Sequence, residues 1–254
     1  MIGAIIGDIA GSVYEFANTK TESFPLITKA STFTDDTICT IAVADAAMFG
    51  WDYKLALLDW CNQYPHPKGG YGVSFADWLN NRQHLPYYSY GNGAAMRVSS
   101  LGWLFDTPIE VAAAAQESAE VSHNHPEGIK GAKAAALGIF YLRISKDKER
   151  FRQFMEEAYG KLPKYIPFSN PFEETCMNAL PIAASCFLAS SDFEDAIRKA
   201  IAVGGDSDTI AAICGGFAEA YYDIPDWLRK SALRKLPIDM KEVITQFEVK
   251  LGRI

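Results

Sequence analysis

Apolar residues recur three and four positions apart along most of the chain, and polar residues fill the positions between them. This spacing places the apolar side chains on one face of a helix. Ala-rich stretches at residues 112–115 and 134–136 would let neighbouring helices approach closely. No stretch shows the strict alternation that is typical of a half-buried strand. Helices are therefore predicted over residues 2–14, 36–49, 54–63, 74–82, 93–104, 108–121, 127–144, 147–158, 174–189, 192–202, 207–222, 226–235 and 239–251.

Regular turn signals separate the predicted helices. Proline residues fall between the apolar runs or at the start of the next helix, where the missing amide hydrogen is tolerated. Residues 161–171 combine prolines with aromatic residues and are predicted to form an ordered loop against the body of the protein. A chain of 254 residues could form one large domain or two small ones. The pattern favours one compact all-α domain, a multi-helix bundle over residues 1–254.

Composition and charge agree with this picture and narrow the range of partners. Hydrophobic residues make up 49% of the chain and aromatic residues 13%, which is typical of a well-packed core. The formal net charge is −7, so general nucleic-acid binding is not expected. A small anionic group could still be held locally by backbone amides or by a metal ion. The oligomeric state is left open, and a monomer is favoured.

The chain lacks the signals of export and of membrane insertion. It begins MIGAIIGDIAG, which has no basic leader and reaches Asp8 before a long apolar run forms. No signal peptide is therefore expected, and no later run approaches the roughly 20 apolar residues of a membrane span. The cysteines show no CxxC pairing, and their odd count, five, argues against a closed disulfide framework. We expect a cytoplasmic protein whose cysteines are buried as small hydrophobic residues.

Two acidic clusters are the main candidates for chemistry. Residues 34–37 read TDDT and residues 205–209 read GDSDT, and each cluster opens an apolar, helix-like run. Asp and Thr are ordinary helix N-caps, so capping is a sufficient explanation for either cluster alone. Capping needs one oxygen, however, and each cluster offers two carboxylates and a Thr hydroxyl. Mg²⁺ and Mn²⁺ prefer such oxygen ligands, so a fold that joins the two clusters would create a two-metal site.

The charges of the two clusters support this hypothesis. Two divalent cations would be balanced by the carboxylates of Asp35, Asp36, Asp206 and Asp208. Without metal, like charges at this spacing would repel and raise some of the pKa values. A zinc site is not predicted, because the close pair His123 and His125 has no matching set of cysteines.

A third candidate lies in the N-terminal segment GDIAGSVYEF, residues 7–16. Gly7 and Gly11 share one helix face and predict close packing against a neighbouring helix, with Asp8 satisfying backbone donors. Glu15 ends the apolar run beside two aromatic residues, where burial would raise its pKa toward values useful in acid–base catalysis. The segment by itself leaves a structural role for Glu15 open.

Two further turns precede predicted helices. Residues 91–97 read GNGAAMR, and exposed amides after a Gly-rich turn could hold a phosphate or a ribose-phosphate edge. An ordinary Asn-Gly turn without a ligand is an equally good explanation of these residues. Residues 122–126 read SHNHP, which could form either a capping turn or a polar wall of a ligand site.

In this order, the motifs resemble those of the ADP-ribosylglycohydrolase family. The matching pieces run from Gly7 to about Gly216 and read GDIAGSVYEF, FTDDT, GNGAAMRV, SHNHPEGIKGA and AVGGDSDTIAAICGG. The resemblance covers most of the chain, and FTDDT with GGDSDT is its most specific part. The family's compact α-helical fold agrees with the helices predicted here.

The resemblance implies a binuclear site and a set of substrate contacts. It implies two Mg²⁺ or Mn²⁺ ions held by Thr34, Asp35, Asp36, Asp206, Asp208 and Thr209. It implies that Asn92, Gly93, Met96, Ser122 and His123 border the ADP-ribose moiety. Catalytic roles would fall to Glu15, Asp36 and Asp208.

The implied reaction is hydrolysis of the bond between the ribose anomeric carbon and an acceptor. The ions would act as Lewis acids on the sugar, and Glu15 or an Asp would manage the proton of water or leaving group. The substrate would be an ADP-ribosylated protein or small molecule. Arginine-directed members carry an additional Asp in the middle region, and residues 69–81 offer Asp77 as a candidate there.

Two other functions remain open at this stage. One is an ADP-ribose or nucleotide-binding module with weak catalysis, although Glu15 and all the cluster aspartates are present. The other is a two-metal phosphohydrolase acting on a phosphoester or pyrophosphate, for which the same carboxylates would serve. The order of the motifs favours the glycosidic reaction.

Overall fold

The computed structural model describes all 254 residues as helices joined by loops, and the predicted all-α fold class is confirmed. The helices are α1 (Ile2–Gly11), α2 (Asp35–Phe49), α3 (Tyr53–Gln63), α4 (Val73–Asn80), α5 (Gly93–Met96), α6 (Leu101–Leu104), α7 (Pro108–Glu120), α8 (Pro126–Ser145), α9 (Lys148–Tyr159), α10 (Cys176–Ala189), α11 (Phe193–Ala202), α12 (Ser207–Tyr221), α13 (Asp226–Leu233) and α14 (Ile238–Lys250). Extended residues pair at one isolated antiparallel bridge, between Gly91 and Thr175.

Helices α1 and α12 form the centre of the structure and pack unusually closely. Every residue of α1 is buried, and so is every residue of α12 except the last. A Cβ atom added at Gly7 would lie only 2.0 Å from the carbonyl oxygen of Ala211. One added at Gly3 would lie 2.2 Å from the oxygen of Gly215. The predicted close contact along this face is therefore confirmed, and it depends on residues without side chains.

The other helices surround this pair and complete a hydrophobic cluster of 68 buried residues. All five cysteines are buried in it, as predicted, and none is paired in a disulfide. No helix is both long enough and apolar enough to cross a membrane.

Two predicted helices differ from the structure. Helix α1 ends at Gly11 rather than at residue 14, and the next residues form a turn in which the amide of Tyr14 donates to the carbonyl oxygen of Gly11 at 2.7 Å. The predicted helix over residues 93–104 is two short helices, α5 and α6. Residues 97–100 between them read RVSS, and Val and Ser have lower helix propensities than the flanking Ala, Met and Leu.

The segment before α10 is ordered against neighbouring helices, as its prolines and aromatic residues predicted. The hydroxyl of Ser185 in α10 donates to the carbonyl oxygen of Pro163 at 2.7 Å. The amides of Phe168 and Asn170 donate to carbonyl oxygens at the end of α11, at 2.8 Å and 3.0 Å. This path places residues 170–174 beside the start of α12.

Candidate active site

The two acidic clusters meet where α2 and α12 begin. The hydroxyl of Thr209 donates to Asp36 Oδ2 at 3.1 Å and so joins residues 173 positions apart in the sequence. Thr34 caps α2 by accepting a hydrogen bond from the amide of Asp36, and Asp206 stands at the N-cap position of α12. Both helix N-termini therefore point toward one carboxylate cluster, where their positive ends favour negative charge.

Asp8, from the middle of α1, holds the start of α2 in place. Its fully buried carboxylate accepts hydrogen bonds from the amides of Thr34 and Thr37 at 3.0 Å and 3.1 Å, and from both hydroxyls as well. Burial raises the pKa of Asp8 to about 6, although these hydrogen bonds act to lower it. The predicted structural role of Asp8 is confirmed, and its partners are hydroxyls as well as backbone amides.

The segment that follows α1 carries Glu15 to the same cluster. Asn18 fastens this segment to the loop before α12, since its side-chain amide donates to Gly205 O at 3.0 Å and its oxygen accepts from Gly205 N at 2.9 Å. Gly204 and Gly205 have φ values of 90° and 77°, which glycine adopts readily. As a result, Glu15 and the aspartates Asp206 and Asp208 offer oxygen atoms that all lie within 4.8 Å of one another.

Burial and mutual repulsion raise the pKa values of this cluster. Burial is the main cause of a pKa of about 7 for Glu15, and the charge of Asp206 adds to it. The pKa of Asp208 lies well above its usual range because of burial and then of the neighbouring Asp206 and Asp36. The pKa values of Asp35 and Asp36 are raised well above the usual range for the same reasons. When ionised, these carboxylates therefore place several negative charges close together in a mostly buried site.

The cluster fits a divalent cation on the chemistry of its donors. Asp36 Oδ1 and Asp208 Oδ1 are buried and have no hydrogen-bond partner in the protein. Buried carboxylate oxygens without partners are costly unless a cation or donor satisfies them. All the donors are oxygen atoms, which is the set that Mg²⁺ and Mn²⁺ prefer over softer metals.

A cavity of about 460 Å³ opens beside the carboxylates. One wall is formed by residues 69–75, where Gly69 lies against Glu15. The lining also includes Ser89, the turn of residues 91–93 and His123. Phe16, which stacks on Phe172 with ring centroids 6.1 Å apart, lies at the edge. The carboxylates thus form one end of a pocket large enough for a nucleotide-sized ligand.

Most of the site residues predicted from the sequence line this cavity. The lining includes Glu15, Asp35, Asp36, Asn92, Gly93, Met96, His123, Asp206, Asp208 and Thr209. Thr34 and Ser122 are not part of the lining. Thr34 donates to Asp8 Oδ1 at 2.8 Å, and Ser122 lies fully buried behind His123.

Asn92 has a partner within the carboxylate cluster. Its side-chain amide donates to Asp206 Oδ2 at 2.6 Å, so it orients a carboxylate of the cluster as well as lining the cavity. His125 takes the capping alternative, because its Nδ1 accepts the amide of Glu127 at the start of α8.

Sequence reasoning missed several residues of this region. Asn18 belongs to no sequence motif, because its hydrogen bonds with the backbone of Gly205 exist only in the folded protein. Arg97 stood in the GNGAAMR motif without an assigned role, yet it lines the cavity while almost completely buried. Lys68 precedes Gly69, and burial lowers the pKa of its ammonium group although the charges of Asp208 and Glu15 act to raise it. Asp77 is exposed on α4 and does not line the cavity.

The chain is similar to known proteins over most of its length. The family model described as ADP-ribosylglycohydrolase matches residues 1–251. ADP-ribosylhydrolase ARH3 from Mus musculus is 25% identical, in an alignment that covers 87% of this chain and 82% of that protein. The Homo sapiens protein of the same name is also 25% identical and is covered over 84% of its length.

Two further matches are more distant or partial. An uncharacterized protein from Archaeoglobus fulgidus is 32% identical over 157 residues, and the match spans about half of each chain, 54% of this one and 52% of that one. A solved structure described as an ADP-ribosylglycohydrolase-related protein complex superposes with a TM-score of 0.76 at 21% identity. It covers 99% of this chain and 96% of that chain, so the two share a fold. Because the family model matches residues 1–251, almost the whole chain, the protein belongs to the ADP-ribosylglycohydrolase family.

Proposed function

We propose that the protein is a metal-dependent ADP-ribosylhydrolase that cleaves the glycosidic bond between ADP-ribose and a modified acceptor, releasing ADP-ribose. Membership of the family supports hydrolysis of ADP-ribose linkages. The observation that carries the proposal is the meeting of Glu15, Asp206 and Asp208 within 4.8 Å at one end of a large cavity. The resemblance to ARH3 proteins, at about a quarter identity, points to the same reaction class.

We further propose that the carboxylate cluster holds two divalent cations, Mg²⁺ or Mn²⁺. The ligands would be Thr34, Asp35, Asp36, Asp206, Asp208 and Thr209. Asp36 at the start of α2 and Asp208 at the start of α12 each have a buried carboxylate oxygen without a hydrogen-bond partner. These two oxygens support metal binding by both helix starts. When bound, the cations supply Lewis-acid stabilisation of the negative charge that develops on substrate oxygens.

The residues of the chain would perform three tasks around this centre. The aspartates Asp36 and Asp208 would hold the cations through their carboxylate oxygens. Glu15, which is half-buried at the cavity edge of the cluster, takes the proton from the attacking water or passes it to the leaving group. Gly69, in the loop before α4, lies against Glu15 and would restrict the movement of its side chain.

The remaining lining would position the ADP-ribosyl group. The turn at Gly93 has no side chain and lets a ligand approach the backbone, while Met96 and His123 form the wall behind it. The acceptor would be an ADP-ribosylated protein side chain or a small molecule, in N- or O-glycosidic linkage. One hydrophobic cluster and a family match over residues 1–251 support a single domain across the chain.

The proposal is tested by measuring release of free ADP-ribose from serine-linked and arginine-linked ADP-ribosyl peptides, with Mg²⁺, with Mn²⁺ and with EDTA. We expect release from one linkage, abolished by EDTA and by Asp208→Ala. Release of AMP instead would indicate pyrophosphate cleavage and a phosphohydrolase. Binding of ADP-ribose without release from either peptide would contradict hydrolysis of these linkages and favour a binding module.

A further inference from the structure

Arg97 is a buried cation with no carboxylate partner. Its side chain is only 1% exposed, and one terminal nitrogen, Nη2, makes both of its side-chain hydrogen bonds. Nη2 donates to the carbonyl oxygen of Ser118 and to the hydroxyl of Ser122, the latter at 3.1 Å. Since a guanidinium group only donates hydrogen bonds, the Ser122 oxygen must be the acceptor in this contact.

The contact with Arg97 determines what the Ser122 hydroxyl does next. Ser122 Oγ lies 2.8 Å from His123 Nδ1 and has no other neighbour that could accept its proton. If Nδ1 carried a hydrogen and donated it, the hydroxyl proton of the fully buried Ser122 would be left without an acceptor. Such an unsatisfied buried donor is costly. The hydroxyl therefore donates to Nδ1, which must be unprotonated.

His123 is thereby restricted to one protonation state. The residue is 5% exposed, and burial together with the charge of Arg97 holds the pKa of its imidazole well below the usual value. A neutral imidazole with an unprotonated Nδ1 carries its hydrogen on Nε2. This atom faces the turn that lines the cavity, since a Cβ atom added at Gly93 or Gly91 would lie 3.1 Å or 3.5 Å from it. No residue of the chain forms a hydrogen bond with Nε2.

We propose that Arg97 and Ser122 are positioning residues that fix the Nε2–H tautomer of His123, so that His123 presents a hydrogen-bond donor to the ligand in the cavity. The relay runs from Arg97 Nη2 through Ser122 Oγ to His123 Nδ1, and its outer end is His123 Nε2–H. Neither Arg97 nor Ser122 needs to touch the ligand. The pair fixes the direction of a donor on a residue that does.

The donor on His123 indicates which ligand atoms can bind at this wall of the cavity. An oxygen without a hydrogen is a good partner for Nε2–H, whereas a group that can only donate would leave two donors facing each other. This consequence rests on the proposed function, in which the ligand is an ADP-ribosyl group. Of that group's oxygens, those of the diphosphate are never protonated near neutral pH and are the natural acceptors.

The tautomer can be observed directly, without any ligand. The chain contains only four histidines, so long-range ¹H–¹⁵N correlation spectra of protein labelled at histidine would be simple. Spectra would be recorded about two pH units above the ordinary imidazole pKa of about 6.5, where the rings are neutral. Two residues provide internal standards. His125 Nδ1 accepts the amide of Glu127, which requires Nε2–H, and His84 Nδ1 faces the carbonyl oxygen of Trp78, which requires Nδ1–H.

We expect the signals of His123 to follow the pattern of His125 and not that of His84. Ser122→Ala should move His123 away from the pure Nε2–H pattern, while Ser122→Thr should keep it. Ser118→Ala is the matched control, because the Ser118 hydroxyl is buried without a partner and only its backbone contacts Arg97. An Nδ1–H pattern in the unmodified protein, or no change in Ser122→Ala, would overturn the relay.

Binding of ADP-ribose, measured by calorimetry, tests the second half of the proposal. Loss of one oriented hydrogen bond should weaken binding about two- to tenfold in Ser122→Ala, with no change in Ser118→Ala. His123→Gln keeps a donor near the Nε2 position and should bind better than His123→Asn. Equal affinity of all four variants would overturn the donor role. Absence of ADP-ribose binding in the unmodified protein would instead refute the proposed function, and the spectra would still decide the tautomer.

Discussion

The hydroxyl of Thr209 donates to Asp36 Oδ2 at 3.1 Å and connects the first turns of two helices that lie 173 residues apart in the sequence. This single contact brings the two acidic clusters into one site. The close packing of α1 against α12 and the hold of Asp8 on the start of α2 make the contact possible. The stability of the helix pair and the geometry of the site are therefore coupled.

Divalent cations should stabilise the folded protein. A cation that binds only the folded state raises the melting temperature, by about 5 °C or more when its concentration is a hundred times the dissociation constant. Thermal unfolding with Mg²⁺, with Mn²⁺ and with EDTA measures this shift. Asp208→Ala should abolish the shift. Asp77→Asn, which removes an exposed carboxylate outside the cavity, should preserve it, and an equal shift in both variants would contradict the site.

Glu15→Gln should separate metal binding from turnover. The substitution keeps the size of the side chain but removes its ability to accept a proton. We expect the thermal shift with Mn²⁺ to persist and the rate of ADP-ribose release to fall by about 100-fold or more. Single-turnover release and thermal unfolding would be measured on the same preparation. Full activity of this variant would remove Glu15 from the catalytic machinery.

Gly7→Ala should destabilise the protein through the contact between α1 and α12. The added Cβ would lie 2.0 Å from the backbone oxygen of Ala211, so one of the two central helices must move. We expect the free energy of unfolding to fall by about 2 to 3 kcal/mol. Urea denaturation measures this change. Gly72→Ala is the control, because its added Cβ meets no atom within 4 Å, and it should cost less than about 1 kcal/mol.

Glu219→Gln should make stability less dependent on acid pH. Burial would raise the pKa of Glu219, but the Met1 ammonium group, the Gly3 amide and Arg253 outweigh it and hold this pKa below the usual range. A carboxylate with a lowered pKa stabilises the folded state above its unfolded pKa of about 4.3 and loses that effect as the pH falls through its folded pKa. At pH 7 the variant should therefore lose about 3 kcal/mol.

The difference between Glu219→Gln and the unmodified protein should shrink as the pH falls below about 4. Urea denaturation at a series of pH values from neutral to acid follows it. Asp226→Asn serves as the comparison, because its pair with Lys230 is exposed to solvent and should contribute less than about 1 kcal/mol at any pH. A difference that stays constant with pH would show that Glu219 acts through packing and not through its charge.

The sequence by itself determined the helical fold class and the chemical type of the site. Apolar spacing is a local property, and the residues TDDT and GDSDT offer hard oxygen ligands whatever surrounds them. The glycine spacing in α1 likewise predicted a close helix neighbour, although not which one. The break of residues 93–104 into two helices was not predicted, because the lower helix propensities of Val and Ser differ from those of their neighbours by only a few tenths of a kcal/mol, too little to indicate a break from the sequence.

Only the tertiary structure decided which distant residues share an environment. The clasp of Asn18 on Gly205 and the relay from Arg97 to His123 join residues whose partners lie on other elements, and no spacing rule connects them. The raised pKa values of the carboxylates have the same origin, since burial and repulsion depend on distance in space. A sequence specifies which donors, acceptors and charges exist, but hydrogen bonds and desolvation act over a few ångströms, and the fold alone sets those distances.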